Sequence, residues 1–245
     1  FTGGINVTED ENEEVREDAY RDTHVRLEGP VVRWLQLVFL EDWVYARGRR
    51  DFPNFDEELH ADLVPGAIAV QVIASGPDTD GEAIHRAMND AFYKAQQRVW
   101  LATPYFVPTE ASLYALTDAA LRGVDVRVLV PRNSDSRIVT AAARSYFDEL
   151  MRVGIRIYEY QPRMLHAKTL LVDDDYVQIG TANFDHRSFR LNFEVAVAIY
   201  DKACCEALAQ AFEADLKVSR KVPRDGQPGW LARFEQAVAR LLSPL

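Results

Sequence analysis

The chain has 245 residues, 48% hydrophobic and 27% charged, with a formal net charge of −10 and a pI near 5.0. That balance disfavours a non-specific nucleic-acid binder, which needs a basic surface, and argues against broad electrostatic docking onto anionic lipid. No apolar run reaches the length of about 18 residues that a membrane-spanning helix requires, and the two cysteines, Cys204 and Cys205, are adjacent and make no disulfide framework.

Residues 7–19 are acidic and lack apolar periodicity, the pattern of a surface loop. Residues 24–27 read as a short strand ended by Gly29-Pro30. Over residues 31–47, Val31, Leu35, Val38, Phe39 and Trp43 fall at helical spacing. The expectation there is a helix whose aromatic side joins the core. A polar connection follows over residues 48–65, and a boundary near Pro65-Gly66 divides the chain into 1–65 and 66–245.

Beyond it, strands and helices alternate. Strands are expected at 67–74, 98–102, 124–130 and 155–160, and helices at 81–96, 109–122 and 136–153. Thr109 is placed to cap its helix and Gly123 to close it. This order predicts an α/β fold with right-handed crossovers and a mixed, largely parallel sheet covered by helices on both faces. After Pro162 the pattern changes to three strands with short links, 165–172, 176–180 and 193–200. Asp201 then caps a helix to about residue 217. A last amphipathic helix over 230–242 lines up Trp230, Leu231, Phe234, Val238 and Leu241, and is expected to pack on the body.

The chemistry concentrates in one stretch. His166, Lys168 and Asp173 form H-x-K-x4-D, followed by Gly180-Thr181-Ala182-Asn183 and then Glu194. Residues two apart on a strand share a face, so His166 and Lys168 project into one site. An imidazole can attack phosphorus or move a proton, and an ammonium can hold non-bridging phosphate oxygens. Asn183 adds a donor, and Glu194 is placed to accept the second N–H of His166. A structural charge pair on a strand edge would need neither the G-T-x-N tail nor the later Glu. The other histidines show no metal-ligand spacing, and no metal or cofactor is expected.

These residues resemble the HKD motif of the phospholipase D superfamily. The run from His166 to Asp201 is similar to the second HKD half of bacterial cardiolipin synthases. The likeness extends over the chain, including Thr103 to Pro108 and Tyr20 to Arg26. Gly3-Gly4-Ile5-Asn6 matches Gly180-Thr181-Ala182-Asn183, so the opening resembles the tail of a first HKD motif whose His, Lys and Asp would lie upstream. Residues 1–65 are then the remnant of a first phospholipase D-like half, and 66–245 the second half.

The resemblance implies transfer of a phosphatidyl group between two phosphatidylglycerol molecules through a phosphohistidine, giving cardiolipin and glycerol. It casts His166 as general acid and base, Lys168 and Asn183 as stabilisers of phosphate charge, and Glu194 as the orienting acid. Asp173 belongs to the motif but holds a turn, and Thr181 lies beside Asn183. Asn6 and Asp22 are assigned to the partner site, with Asp22 orienting its absent histidine. Tyr105 is placed either at a wall of the substrate channel or in a core aromatic pair. The parent protein is expected at the cytoplasmic membrane through an N-terminal segment, with no nucleic acid as partner and these 245 residues incomplete on their own. Two alternatives remain: a phosphodiesterase or nuclease that completes its site by dimerising, and a non-catalytic module that binds lipid or phosphate.

Overall fold

A computed structural model describes residues 1–48, 64–78, 81–224 and 229–242. The connection expected over residues 48–65 lies, from 49 to 63, outside the described residues. In chain order the elements are β1 (Thr2–Gly3), a short 3-10 turn (Glu9–Glu11), β2 (His24–Val25), α1 (Val32–Ala46), β3 (Ala69–Ser75), α2 (Ala83–Lys94), β4 (Arg98–Ala102), β5 (Phe106–Val107), α3 (Glu110–Leu121) and β6 (Asp125–Pro131). Then come α4 (Arg137–Ser145), α5 (Phe147–Arg152), β7 (Arg156–Tyr160), β8 (Thr169–Val172), β9 (Tyr176–Gly180), β10 (Phe184–Asp185), α6 (His186–Arg190), β11 (Glu194–Tyr200), α7 (Lys202–Lys217), β12 (Ser219–Lys221) and α8 (Trp230–Leu242).

Eight strands form one mixed sheet in the order β12-β7-β6-β4-β8-β9-β11-β3. Only β4-β6 and β6-β7 are parallel neighbours, while β12-β7, β4-β8, β8-β9, β9-β11 and β11-β3 are antiparallel. The parallel share is therefore smaller than the sequence pattern suggests. The physical reason is insertion. The register makes β3, β4, β6 and β7 run the same way, as helical crossovers require. The three closely linked strands β8, β9 and β11 then lie between β3 and β4, each antiparallel to its neighbours.

Side-chain alternation divides the core in two. Along β6, Val126, Val128 and Val130 face one layer, and Leu129 the other. Along β8, Leu170 and Val172 face the first layer, and Leu171 the second. Helices α2 to α5 cover the first face with Ile84, Phe92, Leu116 and Leu150. Helix α7 covers the second with Cys205, Leu208 and Phe212. Phe212 stacks on Trp100 with ring centroids 5.3 Å apart, a contact that adds about 0.5–1.5 kcal/mol to the burial of each ring.

The long helix expected over 136–153 is two helices, α4 and α5. Ser145 returns its hydroxyl to the carbonyl of Ala142 at 2.6 Å, which competes with the helical ladder at the break. Tyr146 then turns edge-on to Phe106.

Helix α1 forms as expected but is not core. None of its residues is buried, and Trp34 is 63% exposed. The segment before α1 is tied down by β1-β2 pairing and by a strap along residue 165. Arg21 N–H donates to Met164 O at 2.8 Å, and His166 N–H donates to Arg21 O at 2.8 Å. The Arg21 guanidinium also pairs with Asp215 of α7 at 3.0 Å.

Candidate active site

The strap decides the site. Among the described residues, this bridge is the backbone pairing of the chain just before β8 on the side of Arg21, and it fixes the backbone of His166. Lys168 carries its carbonyl to Gly180 N–H at 3.3 Å, so β9 fixes the other end. Between these anchors, Lys168 Nζ reaches back to His166 Nε2 at 2.8 Å and to His166 O at 2.6 Å. The shared face read from the H-x-K spacing is therefore present.

His166 Nδ1 lies 2.9 Å from Asp22 Oδ2 and 3.3 Å from Glu11 Oε1. With Lys168 donating to Nε2, the partners set the tautomer: Nδ1–H donates to Asp22, and Nε2 keeps its lone pair. Asp22 is only 2% exposed at its side chain. Its Oδ1 accepts the backbone N–H of Thr23 at 2.6 Å, so the carboxylate has one orientation. The Tyr20 ring flanks the imidazole with centroids 5.8 Å apart.

Two assignments are corrected here. Glu194 does not meet His166. Its carboxylate accepts from the Thr181 hydroxyl and from Asn192 Nδ2, the latter at 3.2 Å. Asp22, assigned to an absent histidine, is the carboxylate that orients His166. The cause is the strap, which lays residues 21–22 against 165–166, while β11 carries Glu194 beyond β9 in the sheet. Asp173, read from the sequence as holding a turn, lies away from the imidazole. It sits at the far end of β8 from Lys168, with φ +49°. Its carboxylate accepts N–H groups of Gln96, Gln97 and Arg98 at 2.7–3.2 Å. It anchors the entry to β4 and does not reach the imidazole.

Burial lowers the pKa of Lys168 from 10.5 to about 8, against the opposing pull of Asp22, Glu11 and Glu194. The side chain opens into a cleft of about 940 Å³ that is also lined by Gly4, Asn6, His166, Thr181, Asn183 and Glu194. Val38, Glu41 and Tyr45 of α1 form part of its wall.

The Asn183 side-chain oxygen is buried without a partner, the one such side-chain atom among the described residues. Its backbone N–H donates to Ser188 Oγ at 3.0 Å, and Ser188 N–H donates to Asp185, the N-cap of α6, at 2.7 Å. Helix α6 is in turn held by His85, whose ring stacks on Phe189 at 4.4 Å. His85 Nδ1 meets Glu82 at 2.7 Å, and Nε2 meets Thr109 and Ser112 at 2.9 Å. Burial pushes the His85 pKa down.

Asn6 lines the cleft, but its amide donates to Glu11 at 3.1 Å. Tyr105 donates its hydroxyl to Asp135 at 2.6 Å, and burial raises its pKa. Among the described residues, neither Tyr105 nor Asp135 lines the cleft that holds His166, although the Asp135 charge acts on Lys168. Glu11, from the acidic loop, was missed by sequence reasoning because nothing marks it out among its acidic neighbours. Ligand atoms of Glu11, Asp22 and His166 all lie within 4.8 Å of one another. Two of them are already engaged with each other as a carboxylate–imidazole pair.

A histidine paired with a buried acid, and a lysine on its other nitrogen, share one cleft with the Asn183 side chain. The fold has relatives among solved structures. Nuc of Salmonella typhimurium, a phospholipase D family member, superposes with a TM-score of 0.55 at 22% identity, covering 63% of this chain and 98% of its own. The phosphatidylserine synthase of Haemophilus influenzae Rd KW20 gives 0.56 at 16% identity, covering 74% of this chain and 48% of its own. These likenesses establish a phospholipase D-type fold.

The family model described as "Cardiolipin synthase, PLD-like domain" matches residues 88–216, and the chain belongs to that family. Cardiolipin synthase 2 of Bacillus anthracis is 43% identical over 253 residues, which take in 100% of this chain and 48% of that protein. The cardiolipin synthase of Geobacillus sp. (strain WCH70) is also 43% identical, over 100% of this chain and 49% of its own length. The chain thus spans about half the length of the curated relatives it matches.

Proposed function

We propose that these residues provide one half of the site of a phosphatidyl transferase that makes cardiolipin and glycerol from two phosphatidylglycerol molecules. The observation that carries the reading is the line Asp22–His166–Lys168, opening on a cleft that Asn183 also lines. In the proposed reaction, a histidine from outside these residues attacks the phosphorus of the first lipid. The P–O bond to glycerol breaks, and His166, entering this step as the imidazolium with the Lys168 ammonium moved from Nε2 to the phosphate, gives the leaving oxygen its Nε2 proton. Asp22 stabilises the imidazolium that holds that proton. The phosphatidyl group then rests on the partner histidine as a P–N bond. His166 takes the proton of the second lipid's glycerol hydroxyl, the new P–O bond forms and the P–N bond breaks. Lys168 and Asn183 hold the non-bridging oxygens throughout, Asn183 through its NH2 group.

The repeat Asn6…Asp22 and Asn183…Glu194 supports a reciprocal role for Glu194. Asp22, from residues 1–65, serves the histidine of the second half, and Glu194 would serve the histidine of the first. The division into 1–65 and 66–245 is part of this proposal. A protein working on bilayer lipid in this way belongs at the cytoplasmic membrane. Among the described residues, no helix is long and apolar enough to cross one.

The test uses the longer protein that contains these residues, given phosphatidylglycerol in detergent micelles. Cardiolipin and glycerol should form in equal amounts, and His166→Ala should cut the rate by about two orders of magnitude or more. Unchanged synthesis in folded His166→Ala protein, or turnover of DNA in place of lipid, would overturn the reading.

A further inference from the structure

Helix α8 does not pack as an amphipathic core helix. It lies along α4 on one side. Ala239 is its buried residue among those described, and Arg240 lies over the Tyr146 ring at 4.1 Å. At about 100° per residue, the large apolar side chains of α8 fall on a different arc. Leu231, Val238, Leu242, Phe234, Leu241 and Trp230 span about 120°, turned away from Ala239. They face solvent: Trp230 is 76% exposed, Phe234 67% and Leu241 79%.

The charge around this helix is inverted relative to the rest. Residues 218–242 carry five basic side chains, Arg220, Lys221, Arg224, Arg233 and Arg240, against two acidic ones, in a chain whose net charge is −10. Three cations, Arg156, Lys221 and Arg224, line a cleft of about 410 Å³ whose other lining residues carry no acid. Arg156 answers Asp125, while Lys221 and Arg224 are exposed at its rim. Helix α5 joins the two features. Its Met151 lines the cleft, and its Glu149 meets Arg240 of α8 at 3.5 Å. An exposed aromatic and aliphatic arc beside a basic cleft is the arrangement of a helix that lies in a lipid–water interface. Trp230 at the end of the arc suits the headgroup level. Α protein partner would be served by the apolar arc alone and gives no reason for the local reversal of charge.

We propose that α8 and the basic cleft beside it dock this protein on the surface of an anionic phospholipid bilayer, with the apolar arc of α8 immersed at the headgroup–acyl boundary. The bilayer that holds the substrate would then also be the surface on which the enzyme rests. The choice of lipid as occupant leans on the functional reading above, and the experiment reads binding alone.

The test is co-sedimentation of the 245-residue chain with sucrose-loaded vesicles. One set is pure phosphatidylcholine and the other contains about 30% phosphatidylglycerol. Binding is expected to the anionic set, and to weaken with salt. Phe234→Glu should lower the partition coefficient by about tenfold or more, the scale of withdrawing one large buried side chain. Lys221→Glu with Arg224→Glu should reduce binding to anionic vesicles and leave any binding to neutral ones unchanged. These positions are exposed, so circular dichroism should show an unchanged fold. His166→Ala should bind vesicles as well as the parent chain, which separates this proposal from failure of the catalytic reading. Absence of vesicle binding, binding indifferent to Phe234→Glu, equal binding to both vesicle sets, or a dimer in light scattering that Phe234→Glu dissociates would each overturn it.

Discussion

Lys168 gives the sharpest test of the site. Burial holds its pKa near 8, although four carboxylates pull the other way. A lysine at this value is about nine-tenths charged at pH 7 and about one-tenth charged at pH 9. If the ammonium grips an anion beside His166, affinity for a doubly charged oxyanion should fall about tenfold between those two pH values. Sulfate is the suitable probe, because it does not titrate there. Isothermal calorimetry at constant ionic strength would give its dissociation constant at pH 7, 8 and 9. Lys168→Met should bind weakly and without the pH step. A flat profile in the parent chain, or the same decline in Lys168→Met, would refute the assignment. The same burial has a sign for stability. With the folded pKa below the unfolded 10.5, the unfolded chain binds more protons between pH 8 and 10.5. The lysine's penalty is therefore full below pH 8 and fades as pH rises through that window. It is roughly 3 kcal/mol at pH 7, offset in part by two hydrogen bonds to His166. Lys168→Met should accordingly raise the thermal midpoint at pH 7 while weakening anion binding.

In the longer protein, Asp22→Ala should lower cardiolipin synthesis by about two orders of magnitude or more, and retained activity in the folded variant would show that Asp22 does not serve His166. Asp173→Ala should cost about 2–4 kcal/mol through three orphaned backbone donors, whereas Asp173→Asn keeps an acceptor and tolerates the left-handed backbone; equal urea midpoints for the two would contradict the anchoring role. His85, buried with its pKa lowered, stabilises the fold above the unfolded value near 6.5 and loses that contribution as pH falls. The stability gap between the parent chain and His85→Asn should narrow from pH 7 to pH 5, and a constant gap would count against it. Chelators should leave activity of the longer protein unchanged, since Asp22 and His166 already satisfy each other; loss restored by a divalent cation would show a metal at Glu11, Asp22 and His166.

The sequence reads well where the answer is local. The H-x-K spacing sets two side chains on one side of an extended chain, and although both residues lie just before β8, which starts at Thr169 and not at 165, Lys168 does meet His166. Caps are equally local: Thr109 and Asp201 each accept an N–H three residues on. Crossover logic gives strand direction correctly, and adjacency less so, because three strands from later in the chain lie between β3 and β4. Periodicity shows that a helix has an apolar side without saying what covers it. Helices α1 and α7 make the point together. Each follows a strand that trails the same Asn-to-acid pattern. Helix α7 lays Cys205, Leu208 and Phe212 on the sheet, while α1, no less apolar, has no buried residue among those described.

The acid assignment fails for a different reason. The sequence marks two carboxylates, Asp22 and Glu194, and one histidine, and the nearer acid in the chain is Glu194. Asp22 is 144 residues from His166, yet proximity in sequence has no bearing on which carboxylate reaches the imidazole. One backbone bridge settles it, Arg21 beside Leu165, with Arg21 itself tethered to Asp215. A bridge of two main-chain hydrogen bonds has no side-chain signature, so no spacing rule could have found it. The internal repeat does hold the clue. If Asn6…Asp22 and Asn183…Glu194 are two copies of one device, symmetry allows each acid to serve its own half or the opposite half. Only the opposite choice lets Asp22 and His166, both present here, form a pair. Under the proposed function that choice would make the two halves interdependent, each histidine taking its orienting acid from the other half; the pair of Asp22 with His166 is the part of it present in these residues.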